Sequence, residues 1–405
     1  MIRSGTWLRR GQIAATVAAI VVLVYRALPP TSYFQDPQQE YLTARALRDG
    51  LNIYTSVAEL ALRYFPFPVP AFPHPNPHPP LVILLSVPLS FLPFPVFIGL
   101  WFAANVALVL RIGTWLGLSR WQSVSLLAWP PVFWVVDINQ FELILLAMTM
   151  MAWVAADRGK DREAGIWLGV AAAIKLYPAF FVLPFLARRR FKVVGWSAGV
   201  FGLAQVVNLA VVGPGGLWEY YTKILPEVSA LYQRSWLNSA PYGSLSRIFG
   251  WSPQTSPMIE APEIVLPLTL VFSILGFAAA LTFHPKVAPL AMLITIPNAW
   301  SCYAVLALPQ IAVLWRRFGL KGPLLASLIL CSIVQADLLR VGPVVSSIVG
   351  WTMPTNPPGF GLLMAAQMFG YLGLLLLTLK AERGVEYSLW FRRLLGVREP
   401  ARLES

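Results

Sequence analysis

The sequence predicts an all-α polytopic membrane protein, and three observations carry that prediction. Of its 405 residues 57% are hydrophobic and only 12% charged, and mean hydropathy is +0.64. A soluble domain carries about 25% charged residues, so this composition leaves too little polar surface to cover a water-soluble fold. Apolar runs long enough to approach the roughly 20 residues of a bilayer-crossing helix recur along the chain. A disordered chain is excluded by the same numbers. The two cysteines, Cys302 and Cys331, sit in apolar stretches and suggest neither a disulfide framework nor a metal site.

The first helix is expected over 11–29. Arg9 and Arg10 precede its apolar run, no small-residue cleavage site follows, and Arg26 at the far end is expected to snorkel to the interface. Further spans are expected at 81–116, 122–136, 140–156, 164–176, 177–187, 192–212, 264–282, 286–298, 300–315, 323–341 and 359–380, giving about 12 transmembrane helices. The stretch 81–116 is too long for one helix, and Pro88, Pro93 and Pro95 are expected to split it. The segments 164–176 and 177–187 read as half-helices meeting at Lys175-Leu176-Tyr177-Pro178. Broken helices survive in a bilayer where the irregular backbone faces protein or a water-filled cavity.

Charge sets the sidedness. The chain has 31 basic and 18 acidic residues, a net charge of +13. The basic residues collect in every second connection (Arg111 and Arg120, Arg158 to Arg162, Arg188 to Lys192, Lys286, Arg316 to Lys321) and in both termini. That pattern places the connections and termini in the cytoplasm. The charge is therefore an orientation signal, and nucleic acid drops out as a partner. Two long loops, 30–80 and 213–262, fall on the opposite face. Their aromatic content, from Tyr33 and Tyr41 to Trp218, Tyr232 and Trp251, argues for short interfacial helices. One transmembrane domain over 1–380 with a basic cytoplasmic tail at 381–405 is expected.

Candidate chemistry gathers on the outer face. Asp36 followed by Pro37 reads as a helix N-cap with proline in the first turn, and Gly50 fits the position just past the helix end. A carboxylate there can also act as a general base towards a hydroxyl within reach. His74 and His78 stand in an alternating proline segment, where polyproline II spacing sets them roughly 12 Å apart, too far to share a metal ion. No metal or cofactor is expected. Lys175 lies in an apolar run near the outer leaflet, either as a ligand-site cation or as a snorkelling lysine. Asn139, Gln140 and Glu142 form a polar cluster in the hairpin between the third and fourth spans, and Asp337 and Arg340 lie one helical turn apart.

The order of these pieces resembles the GT-C glycosyltransferases, and most closely glycosyltransferase family 87, the polyprenol-phosphate-mannose-dependent mannosyltransferases. Four stretches carry the likeness. The first is Asp36, Tyr41, Ala44-Arg45-Ala46-Leu47, Gly50 and Tyr54; the second is His78-Pro79-Pro80-Leu81, running to Leu92-Pro93. The third is Asn139-Gln140, Ala164-Gly165 and Lys175-Leu176-Tyr177-Pro178; the fourth is Asn238-Ser239, Arg247, Trp300 and Tyr303.

The resemblance implies a multi-pass enzyme of a bacterial plasma membrane that takes a sugar, most readily mannose, from a polyprenyl monophosphate. It inverts the anomeric carbon and passes the sugar to a glycolipid or polysaccharide acceptor outside the cytoplasm. It implies Asp36 as the base, and Lys175 and Arg247 as cations for the leaving phosphate, with Arg340 added by position. Tyr41, Arg45, His78, Asn139, Gln140, Asn238, Trp300 and Tyr303 are implied as further substrate-binding residues. The chain departs from the family pattern at Phe34, where related enzymes often have a second acid. It departs again at Asn139, often glycine, and at Cys302, often histidine. A transporter or flippase of lipid-linked sugars is the alternative, and would have a midplane site between paired broken helices.

Overall fold

A computed structural model describes residues 4–250, 252, 256–332 and 360–382. Among the described residues the regular structure is helical, apart from isolated bridge residues such as the pair Asn238 and Trp300. The described residues divide into two compact units, one formed by those up to Pro178 together with Gly195–Val228, the other by Ala179–Val194 and the described residues from Ser229 on.

In the first unit, α1 (Ser4–Ala27) is stopped by Pro29 and Pro30. Arg26 does not snorkel: its Nε donates to Asp137 Oδ1 at 2.8 Å, and Asp137 is buried. A charge that finds a partner inside the protein avoids the cost of standing alone in the hydrocarbon. The first outer loop holds α2 (Gln38–Arg48) and α3 (Val57–Tyr64). Gly50 takes φ +70 just beyond α2, where the amide of Leu51 reaches back to the carbonyl of Ala46 at 2.8 Å. A residue with a Cβ resists that left-handed turn, which is the reason for glycine there.

The prolines divide 81–116 as expected, into α4 (Pro80–Ser86), a 3₁₀ turn at Pro88–Phe91 and α5 (Phe94–Trp115). After α6 (Arg120–Ser125), α7 (Pro130–Asp137) and α8 (Glu142–Asp157) meet at a bend of 116°. Next, α9 (Asp161–Ile174) buries Ala164, Gly165, Gly169 and Ala171 to Ala173, small residues that let helices approach closely. Lys175 is extended (φ −138, ψ 144), Tyr177–Val182 form a 3₁₀ run, and α10 is Leu183–Ala187, so the expected break is present. Further along, α11 (Phe191–Glu219) is interrupted at Gly213-Pro214, and a π-turn leads from it into α12 (Leu225–Gln233).

The second unit holds α10, α13 (Pro241–Phe249), α14 (Val265–Thr282), α15 (Ala288–Leu293), α16 (Leu308–Phe318), α17 (Gly322–Ser332), α18 (Phe360–Met364) and α19 (Ala366–Glu382). Every residue of α15 is buried, and so is the 3₁₀ run Ser301–Ala307 before α16.

The expected count of about 12 spans is not reached by helices of spanning length. Among the described residues four are long and apolar enough to cross a membrane: Arg9–Ala27, Phe94–Trp115, Phe191–Gln233 and Pro262–Thr282. The bent pair α7–α8 makes a fifth if read as one span. Hydropathy does not distinguish a lipid-facing helix from a protein core, and Pro285, Pro289, Pro297 and Pro309 cut the apolar stretch 286–315 into short buried pieces. The long helices show the opposite pattern. Val21 on α1, Leu203 on α11 and Ile274 on α14 are each more than 60% exposed, as a lipid-facing surface requires.

Candidate active site

The loop between α1 and α2 commits its backbone to starting the helix and its side chains elsewhere. The carbonyls of Gln35 and Asp36 accept from the amides of Gln38 and Gln39 at 3.1 and 3.0 Å. Pro37 is the residue that caps α2, and no side chain closes that end. The carboxyl of Asp36 is therefore not the helix cap that the Asp-Pro pattern suggests. Its Oδ2 accepts from Nε2 of Gln140, 104 residues away.

The α7–α8 bend supplies the other half. Asn139 has φ +55, a left-handed conformation that asparagine tolerates better than most residues and glycine adopts freely. Unlike glycine, it then uses its side chain. Nδ2 donates to Gln35 Oε1 at 2.5 Å, and Oδ1 accepts from Asn105 Nδ2 on α5 at 3.1 Å. Gln35 Nε2 in turn donates to the carbonyl of Arg26 at 2.7 Å. Two consecutive loop residues, Gln35 and Asp36, thus pair with two consecutive bend residues, Asn139 and Gln140.

Lys175 closes the arrangement. Its Nζ donates to Gln140 Oε1 at 3.0 Å and to Glu142 Oε1 at 2.7 Å. It does not snorkel, and only 11% of its side chain is exposed. The break after α9 makes this possible, because an extended residue there can turn its side chain back towards the start of α8. Glu142, fully buried in the first turn of α8, is favoured by the helix dipole as well as by the ammonium. Gln140 is the bridge, giving its amide hydrogen to Asp36 and its carbonyl to Lys175.

Asp36 keeps part of its surface open, but protein surrounds its carboxyl. Burial pushes its pKa up to about 7, with the nearby Glu40 and Glu142 adding to the rise and Gln140 and Lys175 opposing it. A carboxyl with that pKa is half ionised near neutrality, which suits it to exchange protons with a ligand.

His78 and His74 have separate partners. His78 Nδ1 lies 2.5 Å from Glu40 Oε1, whereas His74 Nδ1 lies 2.8 Å from the carbonyl of Pro75. Burial lowers the pKa of His74. Among the described residues no three His, Cys, Asp or Glu side chains converge as metal ligands. Tyr41 and Arg45 serve the apolar wall. The Tyr41 hydroxyl donates to the carbonyl of Leu92 at 2.8 Å, and the Arg45 guanidinium stacks 4.4 Å from the Tyr64 ring.

The fourth motif lies in the second unit and makes a knot of its own. Asn238 Nδ2 donates to the carbonyls of Gln233 and Pro297 at 2.8 and 2.9 Å, and its Oδ1 accepts from the amides of Ala240 and Ala299. Trp300 bridges to Asn238 and packs on Tyr232, with ring centroids 5.0 Å apart. Tyr303 and Cys302 are buried in the 3₁₀ run that follows.

Arg247 departs from its expected role as a phosphate ligand. It is fully buried, and its terminal nitrogens donate to the carbonyls of Ser235, Asn238 and Met364 and to Ser244 Oγ, at 2.7 to 3.1 Å. Gly361 passes so close to the Arg247 carbonyl that a Cβ there would collide with it. Burial lowers the pKa of Arg247 to about 9. This is a strut: its two terminal nitrogens are taken before any ligand arrives, and Nε is left without a partner among the described residues. Arg340 and Asp337 lie outside the described residues.

Sequence reasoning missed Gln35, Glu40, Asn76, Asn105 and the Arg26–Asp137 pair. Two of them left a trace. Glu40 falls one helical turn after Asp36, and Asn105 is a polar residue inside an apolar helix.

The sequence profile of Glycosyltransferase family 87 matches residues 77–309. That range takes in His78, Asn139, Gln140, Lys175 and Arg247 and begins after Asp36. Among curated proteins, the polyprenol-phosphate-mannose-dependent alpha-(1-2)-phosphatidylinositol pentamannoside mannosyltransferase of Mycolicibacterium smegmatis is 29% identical over 269 residues, which cover 61% of this chain and 62% of the relative. The polyprenol-phosphate-mannose-dependent alpha-(1-2)-phosphatidylinositol mannoside mannosyltransferase of the same organism is 24% identical over 334 residues, covering 74% and 73%. Its namesake from Mycobacterium tuberculosis is 26% identical over 239 residues, covering 55% and 53%. The match to the first of these spans about three fifths of that relative's length. No solved structure matches.

Proposed function

The chain belongs to glycosyltransferase family 87, and from that membership we propose that it is an inverting membrane mannosyltransferase. The donor is a polyprenyl monophosphate mannose. The acceptor is a lipid-linked glycan of the phosphatidylinositol mannoside kind, in keeping with the relatives' names. The basic connections of the sequence support cytoplasmic termini and a reaction on the opposite face.

One observation carries the mechanism: the Asp36–Gln140–Lys175–Glu142 chain of hydrogen bonds. Gln140 occupies one oxygen of the Asp36 carboxylate, which leaves the other for an acceptor hydroxyl. That hydroxyl gives its proton to Asp36 while its oxygen attacks the anomeric carbon from the face opposite the phosphate. The bond from carbon to phosphate oxygen breaks, and the electron pair leaves with the polyprenyl phosphate. A phosphate ester is already a fair leaving group, so the protein mainly orients and deprotonates the acceptor. Lys175 sets a positive charge beside the base and keeps Gln140 turned towards it.

The test is direct. Purified protein is incubated with labelled polyprenyl-phosphate mannose and a mannosylated phosphatidylinositol, and the release of polyprenyl phosphate is followed. Wild type turns over and Asp36→Asn does not, although it still binds donor. Turnover by Asp36→Asn at the wild-type rate would end the assignment.

A further inference from the structure

Glu40 and His78 form a second pair that the base does not use. The Glu40 side chain is 1% exposed, and His78 Nδ1 lies 2.5 Å from its Oε1. Asn76 braces both partners: its Nδ2 donates to Glu40 Oε1 at 3.3 Å, and its Oδ1 accepts from the His78 amide at 2.9 Å. Pro75, Pro77 and Pro79 restrict the backbone around them. A buried carboxylate on Nδ1 fixes the direction of the ring, and in the imidazolium form Nε2 carries a second N–H that is left to act. Nε2 of His78 has no hydrogen-bond partner among the described residues, and 10% of the side chain stays open. The ring meets Phe141 edge-on at 5.1 Å, and Lys175 Nζ stands 5.8 Å from the centroid of that same ring. Imidazole and ammonium therefore flank the residue that follows Gln140.

We propose that His78, as an imidazolium ion-paired through Nδ1–H with the Glu40 carboxylate, is a catalytic hydrogen-bond donor to the leaving phosphate through Nε2–H, and that Glu40 is the positioning residue that aims it. This rests on the proposed transfer from a polyprenyl monophosphate. The donor's phosphate is a diester with one negative charge. When its bond to the anomeric carbon breaks, the electron pair stays on phosphate oxygen, the acceptor oxygen takes the carbon, and the acceptor's proton goes to Asp36. The product monoester approaches two negative charges near neutral pH. The second charge appears only as the reaction proceeds, and a donor already aimed at it stabilises the transition state more than the bound substrate. Lys175 is already shared by Gln140 and Glu142, so a separate donor has a charge of its own to meet.

The experiment measures kcat, donor KM and inhibition by the product polyprenyl monophosphate on the full chain, with thermal unfolding as a control. For His78→Asn, kcat is expected to fall about 100-fold. Product inhibition is expected to weaken about tenfold, with donor KM changed less than about twofold. Glu40→Gln is expected to move both in the same direction, with kcat down about tenfold. Wild-type kcat and product inhibition in His78→Asn overturn the proposal. Equal weakening of donor and product overturns it too, as does a loss matched by a lowered unfolding midpoint. A wild-type chain that neither binds nor turns over the donor overturns the mannosyltransferase reading along with it. Turnover with inhibition indifferent to His78 overturns this inference alone.

Discussion

Two buried polar clusters, one in each unit, invite comparison. Around Asn238 and Arg247 the side chains bond mainly to backbone carbonyls and amides, so most of their donors are spent on holding the chain together. Around Asp36 the side chains bond mainly to one another, and the carboxyl they surround keeps some open surface. The first arrangement spends most of its polar groups without a ligand. The second has ionisable groups and spare acceptor capacity, and its pieces are poised rather than consumed. Both clusters carry residues of the recognisable motifs, so motif membership alone does not separate a scaffold from a site.

The largest expected effect is at the proposed base, Asp36. Asp36→Asn lowers kcat by about a thousandfold, within the range for loss of general-base catalysis, as read by polyprenyl phosphate release. Arg247→Met tests the other cluster. It strips buried carbonyls of their donors and lowers stability by about 3 kcal/mol, while turnover per folded molecule is unchanged. Denaturant unfolding together with active-site titration separates the two readings. Loss of turnover in a fully folded Arg247→Met would restore the phosphate-ligand role and erase the contrast.

Protonation sharpens the comparison. With the Asp36 pKa raised to about 7, kcat/KM is expected to fall about tenfold per pH unit as pH drops below 7. Stability runs the other way. A carboxyl whose folded pKa lies above its unfolded value favours folding most at low pH, and that contribution is lost as pH rises from the unfolded value to about 7. Asp36→Asn is therefore expected to gain in unfolding midpoint over wild type between pH 4 and 7, with a constant advantage above. A smaller effect is expected of Asn139→Gly. It keeps the left-handed turn but leaves Gln35 and Asn105 without that partner, at a cost of about 1 kcal/mol in denaturant unfolding.

Local chemistry made much of the fold legible. Proline positions gave the breaks at 88–95 and after Lys175, and Gly50 marked the end of α2, because each acts within a few residues. The span count was not legible. Hydropathy measures how apolar a segment is, and α15 is as apolar inside protein as α14 is against lipid. The polar bend at Asn139 and Gln140 and the broken helix at Lys175 could each be seen from the sequence. Their pairing with residues 35–36 and with each other could not, because it depends on contacts across 104 and 35 residues. Asp36 and Arg247 fail in opposite ways for the same reason. Side-chain direction decides whether a charged residue caps, braces or serves a ligand, and the chain sequence carries little of that information.

The Asp36 cluster has an acidic surplus: Asp36, Glu40 and Glu142 face Lys175 and His78. A ligand that brings its own negative charge worsens the imbalance, so its arrival and the ionisation of Asp36 oppose each other. Thermodynamic reciprocity then makes each ligand-bound state a weaker acid than the empty protein. Saturation with donor should carry the acidic limb of the rate profile towards alkaline pH. A carboxyl held this way is withheld from water as a strong base and completed only in company.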